Sequence, residues 1–221
     1  MRNLRLTILT VFLAAPLYGQ GLTITMKETG PVGQTAPSMQ FDATHARLDI
    51  PSLATQVLYD SGTKTLRLLI PLFKTYKEYT PAVAAATRGA QPAAPTTPIT
   101  YKRTGTSKVK DWTCTTYDGF RGADKVAEVC AAEGAAIALT AADFAIARQA
   151  IDMMKGITPA EQLERIPAYG SVQNQGFAGF PVRRVNFREG KAETTTELVE
   201  IKREAVPAAT FALPAGFNKA P

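Results

Sequence analysis

The chain has 221 residues, of which 45% are hydrophobic, and it carries a formal net charge of +6. This length suits one large domain with a sizeable core rather than several domains. The lysines and arginines are dispersed among acidic residues and are not clustered with aromatic ones, which argues against a nucleic-acid-binding protein.

The N-terminus has the features of a secretory signal peptide. Arg2 and Arg5 precede an uncharged apolar run over residues 6–17, which is too short to span a bilayer. Cleavage is expected near Gly19 or Gln20. The alternative is an N-terminal membrane anchor that is retained.

The signal sequence sets the domain organisation and the location. We predict a signal peptide over residues 1–20 and a single domain over residues 21–221. The mature protein is then periplasmic or secreted in a bacterium and has no transmembrane anchor.

The mature chain begins with alternating residues that are typical of a β-strand. Leu22, Ile24 and Met26 alternate with polar residues, so one face of this strand is expected to be buried. A loop rich in glycine and proline follows over residues 29–38. One extended run is then predicted over residues 39–50, and it contains the only histidine, His45.

A hairpin is predicted next, because residues 56–60 and 64–70 flank a short turn that contains Gly62. A further strand is predicted over residues 73–79. The apolar residues of the second hairpin strand should share one face of the sheet, namely Leu66, Leu68 and Ile70.

Residues 81–98 differ from their surroundings in composition. Four prolines and many alanines leave Val83 as the only bulky apolar residue before Pro98. Such a segment buries too little apolar surface to order itself, so we predict a mobile insertion.

Residues 101–133 contain both cysteines and the only tryptophan. Cys114 and Cys130 lie symmetrically about Gly122, so a chain reversal over residues 120–124 would place them opposite each other in a hairpin. In an exported protein we expect a disulfide, which would stabilise the fold by about 3 kcal/mol. The alternative is two reduced, buried thiols.

The periodicity then changes to that of an amphipathic helix, predicted over residues 140–155. It starts with the sequence of a capping box, and its apolar face includes Phe144, Ile151, Met153 and Met154. A second, shorter helix is predicted from Thr158 to Pro167.

The last part of the chain returns to strands. A loop over residues 169–179 precedes a hairpin formed by residues 180–188 and 191–203. The tail over residues 206–217 is expected to pack Phe211 and Leu213 against the sheet.

Together these elements predict an α+β fold. A large antiparallel sheet of this many strands must twist and curve, forming a half-barrel. The amphipathic helix and the short helix would pack on its concave face.

Several short motifs in the second half of the chain point to a known family. Their residues are Thr104, Gly105, Val109, Trp112, Cys114, Tyr117, Gly179, Phe180, Pro181, Pro207, Phe211, Leu213, Pro214, Gly216 and Phe217. These motifs resemble those of an uncharacterised family of exported bacterial domains. That family is similar to the lipoprotein carriers LolA and LolB, in which a curved antiparallel half-barrel is closed by helices around an apolar cavity. The resemblance implies this fold, and a lipid or a lipoprotein as the partner.

The sequence contains no pattern that indicates catalysis. His45 would have to serve any Ser-His-acid arrangement, yet the chain lacks a nucleophile-elbow motif, so we interpret His45 as an ordinary strand residue. One histidine and two oxidised cysteines are too few for a structural zinc site. We predict no enzyme activity, no metal and no cofactor.

The apolar rows are the remaining candidates for function. Sheet and helix could enclose a cavity for a lipid, an acyl chain or a lipidated partner, or they could form a filled core. The second possibility predicts a structural or protein-interaction module of the cell envelope. The candidate lining residues are Leu22, Ile24, Met26, Leu66, Leu68, Ile70, Phe144, Ile151, Met153 and Met154.

Overall fold

The computed structural model describes residues 21–220 apart from 91–96, 141, 156, 160–162 and 164–175. The predicted signal peptide therefore lies outside the described residues. The described chain forms one sheet of thirteen strands. Their bounds are β1 (Gly21–Gly30), β2 (Gly33–Thr35), β3 (Ser38–Phe41), β4 (His45–Ile50), β5 (Thr55–Asp60), β6 (Thr65–Ile70), β7 (Thr75–Tyr79), β8 (Thr100–Val109), β9 (Trp112–Arg121), β10 (Asp124–Ala132), β11 (Phe180–Arg188), β12 (Lys191–Glu204) and β13 (Asn218–Lys219).

The strands are arranged in the order β13-β7-β6-β5-β4-β3-β1-β12-β11-β10-β9-β8, and β2 pairs with β1. Every pairing is antiparallel except that of β13 with β7. The sheet is open, with β13 at one edge and β8 at the other. The predicted α+β half-barrel of antiparallel strands with helices is confirmed.

Most of these strands are joined by tight turns. Two of these turns begin with the same dipeptide, Ile-Pro, at Ile50-Pro51 and at Ile70-Pro71. Each forms a single 3-10 turn. Ala54 and Lys74 end these turns in the left-handed conformation, with φ of 48° and 49°. Proline suits the first position of such a turn because its φ is fixed near the helical value.

Two predicted extended runs are interrupted by turns that sequence reasoning missed. Residues 39–50 form two strands, since the Asp42 carboxylate accepts the N–H groups of Thr44 and His45 and reverses the chain. The predicted hairpin over residues 101–133 has three strands, because the chain also reverses at Lys110, whose φ is 51°. The loop predicted over residues 29–38 contains the short strand β2.

Helix α2 (Ala145–Met154) follows a 3-10 turn over Ala142–Phe144. The regular helix therefore begins five residues later than predicted. One half of the predicted capping box is present, because the Asp143 carboxylate accepts the Thr140 N–H at 2.6 Å. The Thr140 hydroxyl donates to the same carboxylate at 2.9 Å, and the Asp143 N–H donates to the Thr140 carbonyl.

Helix α1 (Pro81–Ala90) occupies the first part of the segment over residues 81–98, for which a mobile insertion was predicted. Residues 91–96 of that segment lie outside the described residues. The Thr80 hydroxyl accepts the Val83 N–H, and Pro81 occupies the first turn, where its missing N–H costs nothing. Alanine has the highest helix propensity, so the composition that suggested disorder also suits a helix. Ala84 is buried.

The second predicted helix, over residues 158–167, lies mostly outside the described residues. Leu163 is helical and 1% exposed, and its N–H donates to the Pro159 carbonyl at 3.2 Å. Among the residues that the structure describes, no helix is long and apolar enough to cross a bilayer.

Cys114 and Cys130 form the predicted disulfide, with their Cα atoms 5.3 Å apart. Their register differs from the prediction, because Cys130 is paired with Thr116 rather than with Cys114. The turn at Gly122 and Ala123 shifts the pairing of β9 with β10 by one residue from the prediction, and a bulge between Lys125 and Ala127 shifts it by one more. The bridge therefore joins diagonal neighbours.

Both faces of the sheet carry buried residues. On the first face, one cluster of buried apolar residues joins β1, β3–β6, β11, β12 and helix α2. On the opposite face, Leu58 and Leu69 are 4% and 0% exposed. The C-terminal tail packs on that second face, as predicted, where Phe211 stacks on His45 at 5.2 Å between ring centroids.

Candidate functional site

The candidate site is the interface between helix α2 and the sheet face beneath it. The helix buries Ala147, Ala150, Ile151 and Met154, and exposes its charged side. Phe144, just before the helix, is fully buried and lies between two other rings. Its ring centroid is 6.2 Å from that of Phe41 and 5.6 Å from that of Phe180.

The structure brings nine of the ten predicted lining residues together. Seven of them are at most 5% exposed and belong to the cluster, namely Leu22, Ile24, Met26, Leu66, Phe144, Ile151 and Met154. Leu68 and Met153 are partly buried and pack against it. Ile70 is partly buried but does not join the cluster.

Methionine is a prominent part of this apolar cluster. The chain has five methionines, and the four that the structure describes belong to the cluster or pack against it. Met26 and Met39 come from the sheet, whereas Met153 and Met154 come from the helix. Because methionine is unbranched and flexible, these side chains can adapt to neighbours of different shapes.

A small pocket opens at the start of β3, where β3 meets its neighbours β1 and β4. The cavity volume is about 10 Å³, measured as the space open to the centre of a water molecule. It can hold about one water molecule. Sites for drug-sized ligands start at roughly 300 Å³. This pocket therefore does not accommodate an acyl chain unless side chains or the helix move. Its lining residues are Met26, Pro37, Ser38, Met39, Leu48, Asp49 and Ile50.

A polar clamp holds the start of helix α2 on the sheet. The Arg203 guanidinium on β12 donates to both carboxylate oxygens of Asp143, at 2.8 and 2.7 Å, and also to the Ala138 carbonyl. The hydrogen bonds from Arg203 outweigh partial burial and hold the pKa of the Asp143 carboxyl below its usual value. Further along the helix, the Tyr59 hydroxyl donates to Gln149 at 3.1 Å.

A buried acid ends the apolar row of β1, and sequence reasoning missed it. Glu28 continues the alternation of Leu22, Ile24 and Met26 and is only 6% exposed. Its carboxylate accepts a hydrogen bond from the Thr196 hydroxyl at 3.3 Å. If the two-residue alternation of β1 had been followed as far as Glu28, it would have predicted that this side chain is buried.

The surroundings of His45 do not form a catalytic relay. Its Nδ1 lies 3.0 Å from Asp42 Oδ2 and 3.0 Å from the Thr44 hydroxyl, so both neighbours share one ring nitrogen. A triad needs the acid and the nucleophile on opposite nitrogens. Partial burial raises the pKa of Asp42, but hydrogen bonds from Thr44 and His45 outweigh it and lower the pKa. Asp42, Thr44 and His45 form a chain turn, and the Phe211 ring stacks on the His45 ring.

The part of the chain that the structure describes contains no group of three or more histidine, cysteine or acidic side chains that could hold a metal ion.

Comparison with known proteins identifies the family. Residues 21–217 match the family described as Domain of unknown function (DUF4412). The chain belongs to this family. The match covers strands β1–β12, including the β8 edge of the sheet, and ends just before β13. No curated protein matches the chain.

One solved structure agrees with the fold assignment. An uncharacterised conserved protein from Thermus thermophilus is 11% identical, with a TM-score of 0.50, over 91% of this chain and 90% of that chain. This similarity shows a common fold.

Two further solved structures are similar over most of their length. One is an outer membrane lipoprotein-sorting protein domain from Vibrio parahaemolyticus, with 10% identity and a TM-score of 0.26, covering 88% of this chain and 89% of that one. The other is a LolA superfamily protein from Nitrosomonas europaea, with 8% identity and a TM-score of 0.26, covering 90% of this chain and 91% of that one.

Proposed function

We propose that this DUF4412 protein is an exported, periplasmic carrier or sensor that performs no chemistry. It holds a lipid, an acyl chain or a lipidated partner between the sheet and helix α2. The observation that carries the proposal is that four methionines, two from the sheet and two from helix α2, belong to one apolar cluster or pack against it. The disulfide agrees with an oxidising compartment.

Binding on this account requires helix α2 to move away from the sheet. In the described residues, the helix contacts the strands through side chains, which separate more readily than a ladder of backbone hydrogen bonds. Each methylene of a guest that leaves water contributes about 0.8 kcal/mol. A long acyl chain therefore offsets the loss of several contacts between helix and sheet.

The second candidate function is a structural or interaction module with a solid core. It is favoured by the near-complete burial of the predicted lining residues, of which Ile24, Leu66 and Phe144 are 0% exposed. On this account the interface never opens, and the partner is another envelope protein.

The two candidates are separated by measuring the binding of a fluorescent fatty acid by stopped-flow fluorescence. Asp143→Asn weakens the clamp to Arg203, so the carrier account predicts faster association, by up to roughly tenfold for a loss of about 1.4 kcal/mol. Asp152→Asn is the matched control, because it breaks the Lys155 ion pair at an exposed site on the same helix.

Saturable binding by the wild type, with faster association for Asp143→Asn alone, supports the carrier. Absence of binding by all three proteins, together with no co-purified lipid after native extraction, contradicts it and leaves the solid module.

A further inference from the structure

The two edges of the sheet differ. At one edge, β13 pairs with the outer side of β7 and covers it with the chain's own C-terminal segment. At the other edge lies β8, which is ten residues long and pairs with β9 on its inner side. None of the described residues forms a strand on its outer side. Such an edge offers a row of backbone N–H and C=O groups to a further strand.

This edge is basic. Residues 100–110 contain Lys102, Arg103, Lys108 and Lys110 and no acid, an exception to the dispersed charge of the chain. Arg103 and Lys108 are exposed, and neither forms an ion pair with the described residues. Their charges are therefore available to a partner.

The register places two of these cations on one face at a defined spacing. Arg103, Thr106 and Lys108 lie opposite Tyr117, Thr115 and Thr113 of β9, with a bulge between Arg103 and Gly105. Since directly opposed residues share a face, Arg103 and Lys108 lie on the same face. The bulge makes their separation equal to four residues of a regular strand, or roughly 14 Å.

Charge decides which strand fits. If a second copy of the chain paired through β8, two strands whose charged residues are all positive would lie about 5 Å apart, and these charges would repel each other. Lysines on an edge strand generally discourage pairing. For an acidic strand the same charges become attractive.

We propose that β8 is a docking edge for an extended acidic segment of another protein. The segment adds to the sheet as a further strand, with carboxylates at positions i and i+4 opposite Arg103 and Lys108. This inference does not depend on the lipid-carrier proposal, because the edge is independent of the interface beneath helix α2.

The test measures fluorescence anisotropy of a labelled seven-residue peptide of alternating threonine and valine, with glutamates at its second and sixth positions. We expect saturable binding to the full chain that Arg103→Glu/Lys108→Glu weakens at least about tenfold. Lys64→Glu/Lys191→Glu, which changes two exposed cations elsewhere, has the same charge change and should bind like the wild type. Arg103→Gln/Lys108→Gln removes both charges without reversing them, and we expect it to lose affinity to an intermediate degree. This variant keeps the test valid if Arg103→Glu/Lys108→Glu fails to fold.

Main-chain pairing is tested with two peptides N-methylated at alternate residues, in opposite phases. Strand addition predicts that one phase abolishes binding and the other is tolerated, because only alternate N–H groups face the partner strand. The proposal is overturned if both phases bind equally or if a peptide with lysines in place of the glutamates binds as well. It is also overturned if the basic edge binds phosphatidylglycerol vesicles but not the glutamate peptide.

Discussion

At the scale of single residues, the interface between sheet and helix depends on a few side chains with unequal roles. Phe144 is enclosed by Phe41 and Phe180 and has no exposed surface. Asp143 next to it is polar and joins Arg203. One residue therefore anchors the helix by apolar packing, and its neighbour anchors it by charge.

Phe144→Ala should lower the free energy of unfolding by about 3–5 kcal/mol, because it removes a buried ring and leaves a cavity. Phe73→Ala is the matched control. Phe73 is 69% exposed in the turn before β7, so we expect a change within about 0.5 kcal/mol. Urea unfolding of both variants measures the difference, and equal effects would contradict the placement of Phe144.

Asp143→Asn should destabilise the protein at pH 7 by about 1–2 kcal/mol, because it weakens a charge-assisted hydrogen bond. The pKa of Asp143 is lowered in the folded state, mainly by Arg203, so its contribution is fully present above the ordinary aspartate pKa of about 4. It is lost as the pH falls through the lower, folded-state pKa. The difference from the wild type in urea unfolding should therefore shrink between pH 7 and pH 3, and a difference that grew toward low pH would contradict this account.

At the scale of elements, local sequence predicted those hairpins whose turns contain glycine. The Gly62 turn between β5 and β6 and the Glu189-Gly190 turn between β11 and β12 are both confirmed. Two turns without glycine or proline were missed, because Asp42 reverses the chain through side-chain hydrogen bonds and Lys110 through a left-handed conformation. Helix α1 was missed because proline and alanine suggested disorder, although Thr80-Pro81 is a helix start signal.

The disulfide links the adjacent strands β9 and β10 and can be tested as an element of its own. Cys114→Ala/Cys130→Ala should lower the free energy of unfolding by about 3 kcal/mol, since the bridge closes a short loop in the unfolded chain. A reducing agent should destabilise the wild type by a similar amount and leave the double variant unchanged. An equal response of both proteins to the reducing agent would show that the bridge does not contribute.

At the scale of the whole molecule, the sequence predicted the fold class and the apolar face but not the order of the strands. β1 lies between β3 and β12, and β13 reaches β7, so these neighbours are far apart in the chain. Alternation shows that one face of β1 is buried, but no local signal names its partners. The candidate lining could be predicted because its residues follow the two-residue period of a strand and the 3.6-residue period of a helix. The strand period also reaches Glu28, whereas its distant partner Thr196 could be identified only in the assembled sheet.

If the protein is the carrier that we propose, the interface between helix α2 and the sheet admits an apolar guest. Four methionines of the described chain report on it directly, namely Met26, Met39, Met153 and Met154. With methionine methyl groups labelled with carbon-13, titration of the protein with a long-chain fatty acid below its micellar concentration should shift signals from both the sheet and the helix methionines, saturably. Methyl signals that stay unchanged throughout the titration would contradict the account and establish the interface as a closed core.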